Sequence, residues 1–113
     1  MKKKIYIAGC GGMLGEAFYA QFSKDYVLRC TDKDVNETWL SFLDFRDFDA
    51  YNEDVTKFNP DYLFHLGAYT DLEFCELNAE ETYNTNTLAV ENAVYIANQL
   101  NIPVLYISTA GIF

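Results

Sequence analysis

Basic residues are scarce in this chain. Eight Lys plus Arg stand against seventeen Asp plus Glu, a net charge of −9 over 113 residues. Such a surface repels phosphate backbones and anionic lipid within a Debye length, so neither nucleic acid nor a membrane surface is expected as a partner. Cysteine is sparse as well: Cys10, Cys30 and Cys75 are odd in number, widely spaced and form no CxxC pair. That pattern argues against a disulfide framework or a structural zinc site and suggests a reducing cytoplasm. No run approaches the ~18 apolar residues of a membrane span. The opening Lys2-Lys3-Lys4 with Ile7-Ala8-Gly9-Cys10 resembles a lipoprotein cleavage box, but only three apolar residues precede Ala8. An export leader needs roughly 7–15 there.

What is abundant is apolar surface. Half the residues are apolar and 17% are aromatic, with nine Phe and nine Tyr, so the chain can fill a core and is not expected to be disordered. Its length allows one domain at most. No internal repeat, low-complexity tract or linker interrupts it.

Ile5-Tyr6-Ile7-Ala8 is a short apolar run closed by Gly9, the pattern of a strand buried on both faces of a parallel sheet. Leu14, Ala17, Phe18 and Phe22 then recur at helical spacing, with Glu16 and Lys24 facing water. A second strand covers 26–31 and ends at Asp32. Trp39 to Leu43 suggests a third, very short or irregular because too few residues precede it for an ordinary crossover. Phe48, Tyr51, Val55 and Phe58 mark a helix ending before Asn59-Pro60, and 62–66 a fourth strand. After a loop from Gly67 to Leu77, Asn78 and Glu81 have the form of a capping box. It opens a long helix with Tyr83, Thr87, Val90, Val94, Ala97 and Leu100 on one face. The fifth strand is 104–107. Alternating strands and helices imply an α/β fold: a Rossmann-type doubly wound parallel sheet of order 3-2-1-4-5.

The sharpest local signal is Gly9-Cys10-Gly11-Gly12-Met13-Leu14-Gly15, between a strand and a helix. It is GxxGxxG; the stricter GxGxxG fails at Leu14, and no Gly-Lys-Ser/Thr makes it a P-loop. Glycines permit a tight turn and close backbone approach, so a pyrophosphate can sit against N–H groups at the helix start. The alternative is a turn that only packs helix on strand. Asp32, 20 residues beyond Gly12, favours the first reading, because a strand-end carboxylate there accepts hydrogen bonds from an adenosine ribose and repels a 2'-phosphate. NAD is therefore favoured over NADP, although Lys33 next door can tolerate the phosphate.

Together with these, Leu43-Asp44-Phe45-Arg46-Asp47, His65-Leu66-Gly67-Ala68-Tyr69-Thr70, Asn86 and Ser108-Thr109 fall in the order and spacing of extended short-chain dehydrogenases/reductases. Over essentially its whole length the chain resembles their dTDP-4-dehydrorhamnose reductase group. The resemblance implies that the stretch containing Gly9, Gly12, Met13, Leu14 and Gly15 cradles the pyrophosphate. It also implies that Asp32 with Lys33 meets the adenosine ribose, and that Asp44 and Phe45 contact adenine. Gly67, Ala68 and Tyr69 would floor the nicotinamide ribose. Asn86 would reach the nicotinamide side or hold the neighbouring strand, Thr109 would hydrogen-bond the substrate carbonyl, and Ser108 would support the cofactor.

The chain departs from the family at Gly67, where many members have Ala, and at Ala110, where an acidic residue is frequent. Those differences bear on substrate identity. His65, the single histidine, reads as a buried structural residue rather than an acid or base. Glu73 and Glu76 lie where the family has acidic residues near the substrate entrance, but nothing converges on them to suggest a metal. The family's general acid is a Tyr with Lys four residues later, and none of the nine tyrosines here has Lys at that offset.

The chain is thus expected to be a truncated cofactor-binding part, 1–113, inactive alone. Its parent would be an NAD(P)-dependent reductase of a nucleotide-activated sugar. A nucleotide-sugar epimerase or dehydratase, or a non-catalytic NAD(P)-sensing regulator of the same fold, shares these residues. The apolar fifth strand, with no Pro or charge to protect its edge, is expected to promote self-association.

Overall fold

The computed structural model describes residues 2–11, 13–66 and 79–107, without the side chains of residues 13 and 79–87. The elements are β1 (Lys4–Ala8), α1 (Met13–Phe22), β2 (Val27–Asp32), β3 (Leu40–Phe42), α2 (Phe48–Phe58), β4 (Tyr62–His65), α3 (Ala79–Leu100) and β5 (Val104–Tyr106). All strand pairs are parallel and their order is β3-β2-β1-β4-β5, the Rossmann-type sheet expected from the alternation of elements. The third strand is indeed minimal, at three residues.

β1 is central, which explains its unbroken apolar run. Its pleat sends Tyr6 and Ala8 into a cluster with Tyr51, Val55, Leu63, Ala93, Ile96 and Ala97 under α2 and α3. Ile5 and Ile7 go to the opposite face, with Cys30, Leu40 and Leu66, where Phe18, Tyr19 and Phe22 of α1 pack. Helices therefore cover both faces. Tyr19 stacks flat on Trp39, ring centres 4.3 Å apart, tying α1 to the segment before β3.

α2 has both its ends specified by sequence. Asp47 caps the start by accepting from the Ala50 N–H, and Asn59, in the left-handed region at φ 53°, returns its N–H to the Val55 carbonyl. Two side-chain readings need correction. On α3 the buried stripe is Ala89, Asn92, Ala93, Ile96 and Ala97, while Val94, assigned to the core face from its spacing, is 39% exposed. On α1, Ala17 is exposed rather than facing the core. The capping box at Asn78 and Glu81 lies outside the described residues and side chains. On the fifth strand Leu105 and Tyr106 are about 40% exposed.

Beneath α2, the Asp54 carboxylate receives a two-pronged bond from Arg29 (2.8 and 2.9 Å) and one from the Tyr6 hydroxyl (2.6 Å). Burial raises the Asp54 carboxyl, but Arg29 and Tyr6 more than offset it, and the group ends below the usual carboxylate range. A carboxyl lowered by folding stabilises the fold above its unfolded value of about 4, and that stability is lost as pH falls through the lower folded value. Asp54→Asn should accordingly cost roughly 1–2 kcal/mol at neutral pH. It should also flatten the decline in stability below about pH 4, as read from urea unfolding at a series of pH values. An unchanged acid limb would show that Asp54 is not responsible for it.

Candidate dinucleotide site

The strands deliver the chain to one edge of the sheet in step. Ala8 pairs with Thr31 and with His65, His65 with Tyr106, and Asp32 with Phe42. Everything the sequence marked as functional follows one of these strand ends, apart from Asn86 on α3. Among parallel α/β sheets that edge is where ligands bind.

At the end of β1, Gly9 takes φ 78°, a left-handed conformation that a residue with a Cβ adopts only under strain. The turn lets the Gly9 and Cys10 N–H groups both donate to the Thr31 carbonyl at 2.9 Å, pinning the loop over β2. α1 begins at Met13, so the N–H groups of its first turn have no intrahelical acceptor. A Cβ added to Gly15 would overlap the Cys10 backbone. Helix and loop therefore touch directly, and the Cys10 thiol, fully buried, reaches the Gly15 carbonyl at 3.4 Å. A hydrogen bond with Cys30, and then burial, push the Cys10 thiol up, which favours its protonated, less reactive form.

Asp32 closes β2 and leans back over this loop. Its Oδ2 accepts from the Gly11 N–H and its Oδ1 from the Asp34 N–H, both at 2.9 Å, while its carbonyl accepts from the Leu43 N–H at 3.1 Å. The glycine loop and the strand-end carboxylate are thus one hydrogen-bonded unit. Lys33 beside it is exposed.

Just beyond β3, Asp44 is held by Arg46, whose Nε and Nη2 reach the carboxylate at 2.6–3.1 Å and whose backbone N–H adds a bond at 3.0 Å. The guanidinium is the main reason the Asp44 carboxyl lies below its ordinary range; burial opposes it, and Lys33 contributes a smaller charge effect. Phe45, half-buried, packs edge-on to His65 with ring centres 4.8 Å apart. His65 is fully buried, with Nδ1 2.9 Å from the Tyr51 hydroxyl. This is the structural histidine expected from its strand position.

The structure thus brings Gly9, Leu14, Gly15, Asp32, Lys33, Asp44 and Phe45 to one end of the sheet, with Met13 in the first turn of α1. Gly12, Gly67, Ala68, Tyr69, Ser108 and Thr109 lie outside the described residues, as do Glu73 and Glu76, and Asn86 is placed only as part of the α3 backbone. Leu66 and Ile107, the last described positions before two of these groups, are fixed at the same edge by Leu66 N–H to Ala8 carbonyl (2.8 Å) and Ile107 N–H to His65 carbonyl (3.1 Å). Gly11, the Thr31 carbonyl and Arg46 were not assigned roles from sequence. Gly11 was hidden by being out of step with GxxGxxG; Arg46 was visible only as the second residue after Asp44. A groove of about 280 Å³ between β3 and α2, lined by Phe42, Asp44, Asp47 and Lys57 among others, shares Asp44 with this site but contains no residue of the glycine loop.

A dTDP-4-dehydrorhamnose reductase from Aggregatibacter actinomycetemcomitans is 27% identical over 115 residues, covering 97% of this chain and 36% of that protein. Among solved structures, L-threonine dehydrogenase from Clostridium difficile matches with a TM-score of 0.84 at 23% identity, over 93% of this chain and 36% of its own. The dTDP-4-dehydrorhamnose reductase of Bacillus anthracis, solved in complex with NADP, matches with a TM-score of 0.78 at 21% identity, over 92% and 35%. At such identities the structural likeness shows the fold. The chain spans little more than a third of the length of these relatives. Residues 2–113 match the family described as the RmlD substrate binding domain, and the chain belongs to that family.

Proposed function

We propose that this chain is the dinucleotide-binding part of an NAD(P)-dependent oxidoreductase that reduces the keto group of a nucleotide-activated sugar, as dTDP-4-dehydrorhamnose reductases do. The observation that carries the reading is the joined glycine loop and Asp32 carboxylate at the ligand-binding edge of a parallel sheet. The residues present fit a dinucleotide. The loop is stripped of side chains where helix, loop and strand end meet, since a Cβ at Gly11 or Gly15 would overlap its neighbours. Helix α1 offers N–H groups and the positive end of its dipole to a pyrophosphate, which lets a protein of net charge −9 hold an anion.

In this reading Gly9, Gly12, Met13, Leu14 and Gly15 hold the pyrophosphate, Asp32 and Lys33 the adenosine ribose, and Asp44 and Phe45 the adenine. Gly67, Ala68, Tyr69, Asn86 and Ser108 serve the nicotinamide half. A bound nicotinamide supplies the hydride. Thr109 donates a hydrogen bond to the substrate carbonyl, which orients it and favours negative charge on its oxygen.

Titration of the chain with NAD and NADP tests the proposal. Saturable binding at or below millimolar concentration is the expected result, and Gly12→Val should abolish it, because a branched side chain there takes the space of the pyrophosphate. Folded protein that binds neither dinucleotide would overturn the reading.

A further inference from the structure

Gly11 falls between the in-step glycines at 9, 12 and 15, and GxxGxxG assigns it no role. In the structure it faces Asp32. Its N–H donates to Asp32 Oδ2 at 2.9 Å, and a Cβ built on it would stand 2.8 Å from both Cγ and Oδ2 of that carboxylate. The carboxylate therefore occupies the space that a side chain at position 11 would need. Its other oxygen is held by the Asp34 N–H, and its backbone by the Leu43 N–H.

Two backbone donors on the carboxylate, with the backbone behind it held as well, make it unlike an ordinary strand-end Asp, which can rotate away from an approaching anion. Each oxygen keeps a lone pair for a further donor, so the arrangement is compatible with ribose hydroxyls. It is incompatible with a second anion at the same place, because the charge cannot turn aside.

We propose that Gly11 is a positioning residue for cofactor choice: by making room for the Asp32 carboxylate and hydrogen-bonding it, Gly11 locks that charge where an adenosine ribose would lie and makes the chain prefer a free 2'-hydroxyl to a 2'-phosphate. The inference rests on the dinucleotide reading above and adds to it a residue that acts through Asp32.

If Gly11 acts through Asp32, substitutions at the two positions are strongly non-additive. The experiment measures dissociation constants for NAD and NADP with the 113-residue chain, Gly11→Ala, Asp32→Ala and the double variant, each checked for folding by thermal unfolding. The chain itself should prefer NAD by about tenfold or more, and Gly11→Ala should weaken NAD about tenfold and narrow the preference correspondingly. In the Asp32→Ala background the same Gly11→Ala change should alter either affinity by less than about threefold, because the obstructed carboxylate is gone. An equal loss in both backgrounds, or an unchanged NAD/NADP ratio in Gly11→Ala, overturns the proposal. Binding of neither dinucleotide by the unsubstituted chain overturns the dinucleotide reading instead. Should Asp32→Ala fail to fold, Asp32→Ser provides the second background, since it too lacks the carboxylate and any atom at the Oδ2 position, and amide exchange in the ligand-free chain provides an independent measure. The Gly11 amide should be protected in the unsubstituted chain, and fast exchange there refutes the lock.

Discussion

Gly15→Ala is expected to cost the chain most of its stability, although alanine is the better helix former by about 1 kcal/mol in an ordinary helical position. The added Cβ would overlap the carbonyl oxygen, carbonyl carbon and Cα of Cys10. Those are backbone atoms, and they are pinned in turn because the Cys10 N–H is bonded to the Thr31 carbonyl at 2.9 Å. Neither side can yield by rotating a side chain, so α1 must lift off the sheet edge, opening the cluster of Ile5, Ile7, Cys10, Cys30, Leu40 and Leu66. Overpacking of this kind costs about 3 kcal/mol or more, which for a domain of about 100 residues lowers Tm by on the order of 10 °C. Calorimetry or a thermal melt reads the effect. A Tm equal to or above that of the unsubstituted chain would show that α1 and the loop are not in direct contact. Any protein that remains folded should also have lost dinucleotide binding, because the same shift moves the first-turn N–H groups.

The second large effect is on turnover: the 113 residues alone should reduce no nucleotide-sugar ketone at a measurable rate, even with NADH or NADPH bound. Hydride delivery leaves an alkoxide that must be protonated, and a positioned acid contributes on the order of 10²–10⁴-fold. No tyrosine in the chain is followed four residues later by lysine. Among the described tyrosines, Tyr6 and Tyr51 have phenols pushed up, first by burial, which is opposite to the shift an acid needs near neutral pH. In the role proposed for it, Thr109 would donate a hydrogen bond but would not give up its proton. Following NADH oxidation in the presence of a dTDP-4-keto-sugar checks this. Turnover by these residues alone would overturn the assignment of roles. Activity that appears only when further sequence bearing a Tyr/Lys pair is joined to the chain, and that falls on Thr109→Val, would support it.

Much of this was legible in the order of residues. The apolar run before Gly9, the glycine loop, Asp32 at the end of the next strand, and Asn59-Pro60 at the end of α2 are local signals: each depends on backbone conformation or strand periodicity within a few residues. Parallel topology followed because strands joined through helices have little alternative. The buried face of α3 was not legible in this way. That helix carries apolar residues around more than one side, so Val90 and Val94 made as plausible a stripe with Ala97 as Ala89, Ala93 and Ile96 do. The choice between them was made by the small residues that let the helix lie close to α2, β4 and β5.

The sequence by itself determined which elements form, their order in the sheet, and the edge at which a ligand would bind. Those features follow from short-range periodicity, turn chemistry and the handedness of the connections. Only the tertiary structure decided what the site residues do to one another: that Asp32 bends back to Gly11, that Arg46 takes hold of Asp44, that Phe45 packs edge-on to His65, and that Gly15 meets Cys10. Three of these four relationships depend on side-chain direction, and two of them, Asp32 with Gly11 and Phe45 with His65, join residues 20 or more positions apart. The hydrogen bonds and close contacts that settle such directions exist only once the strands lie side by side, because a side chain in an isolated segment has several rotamers of nearly equal energy and packing selects one.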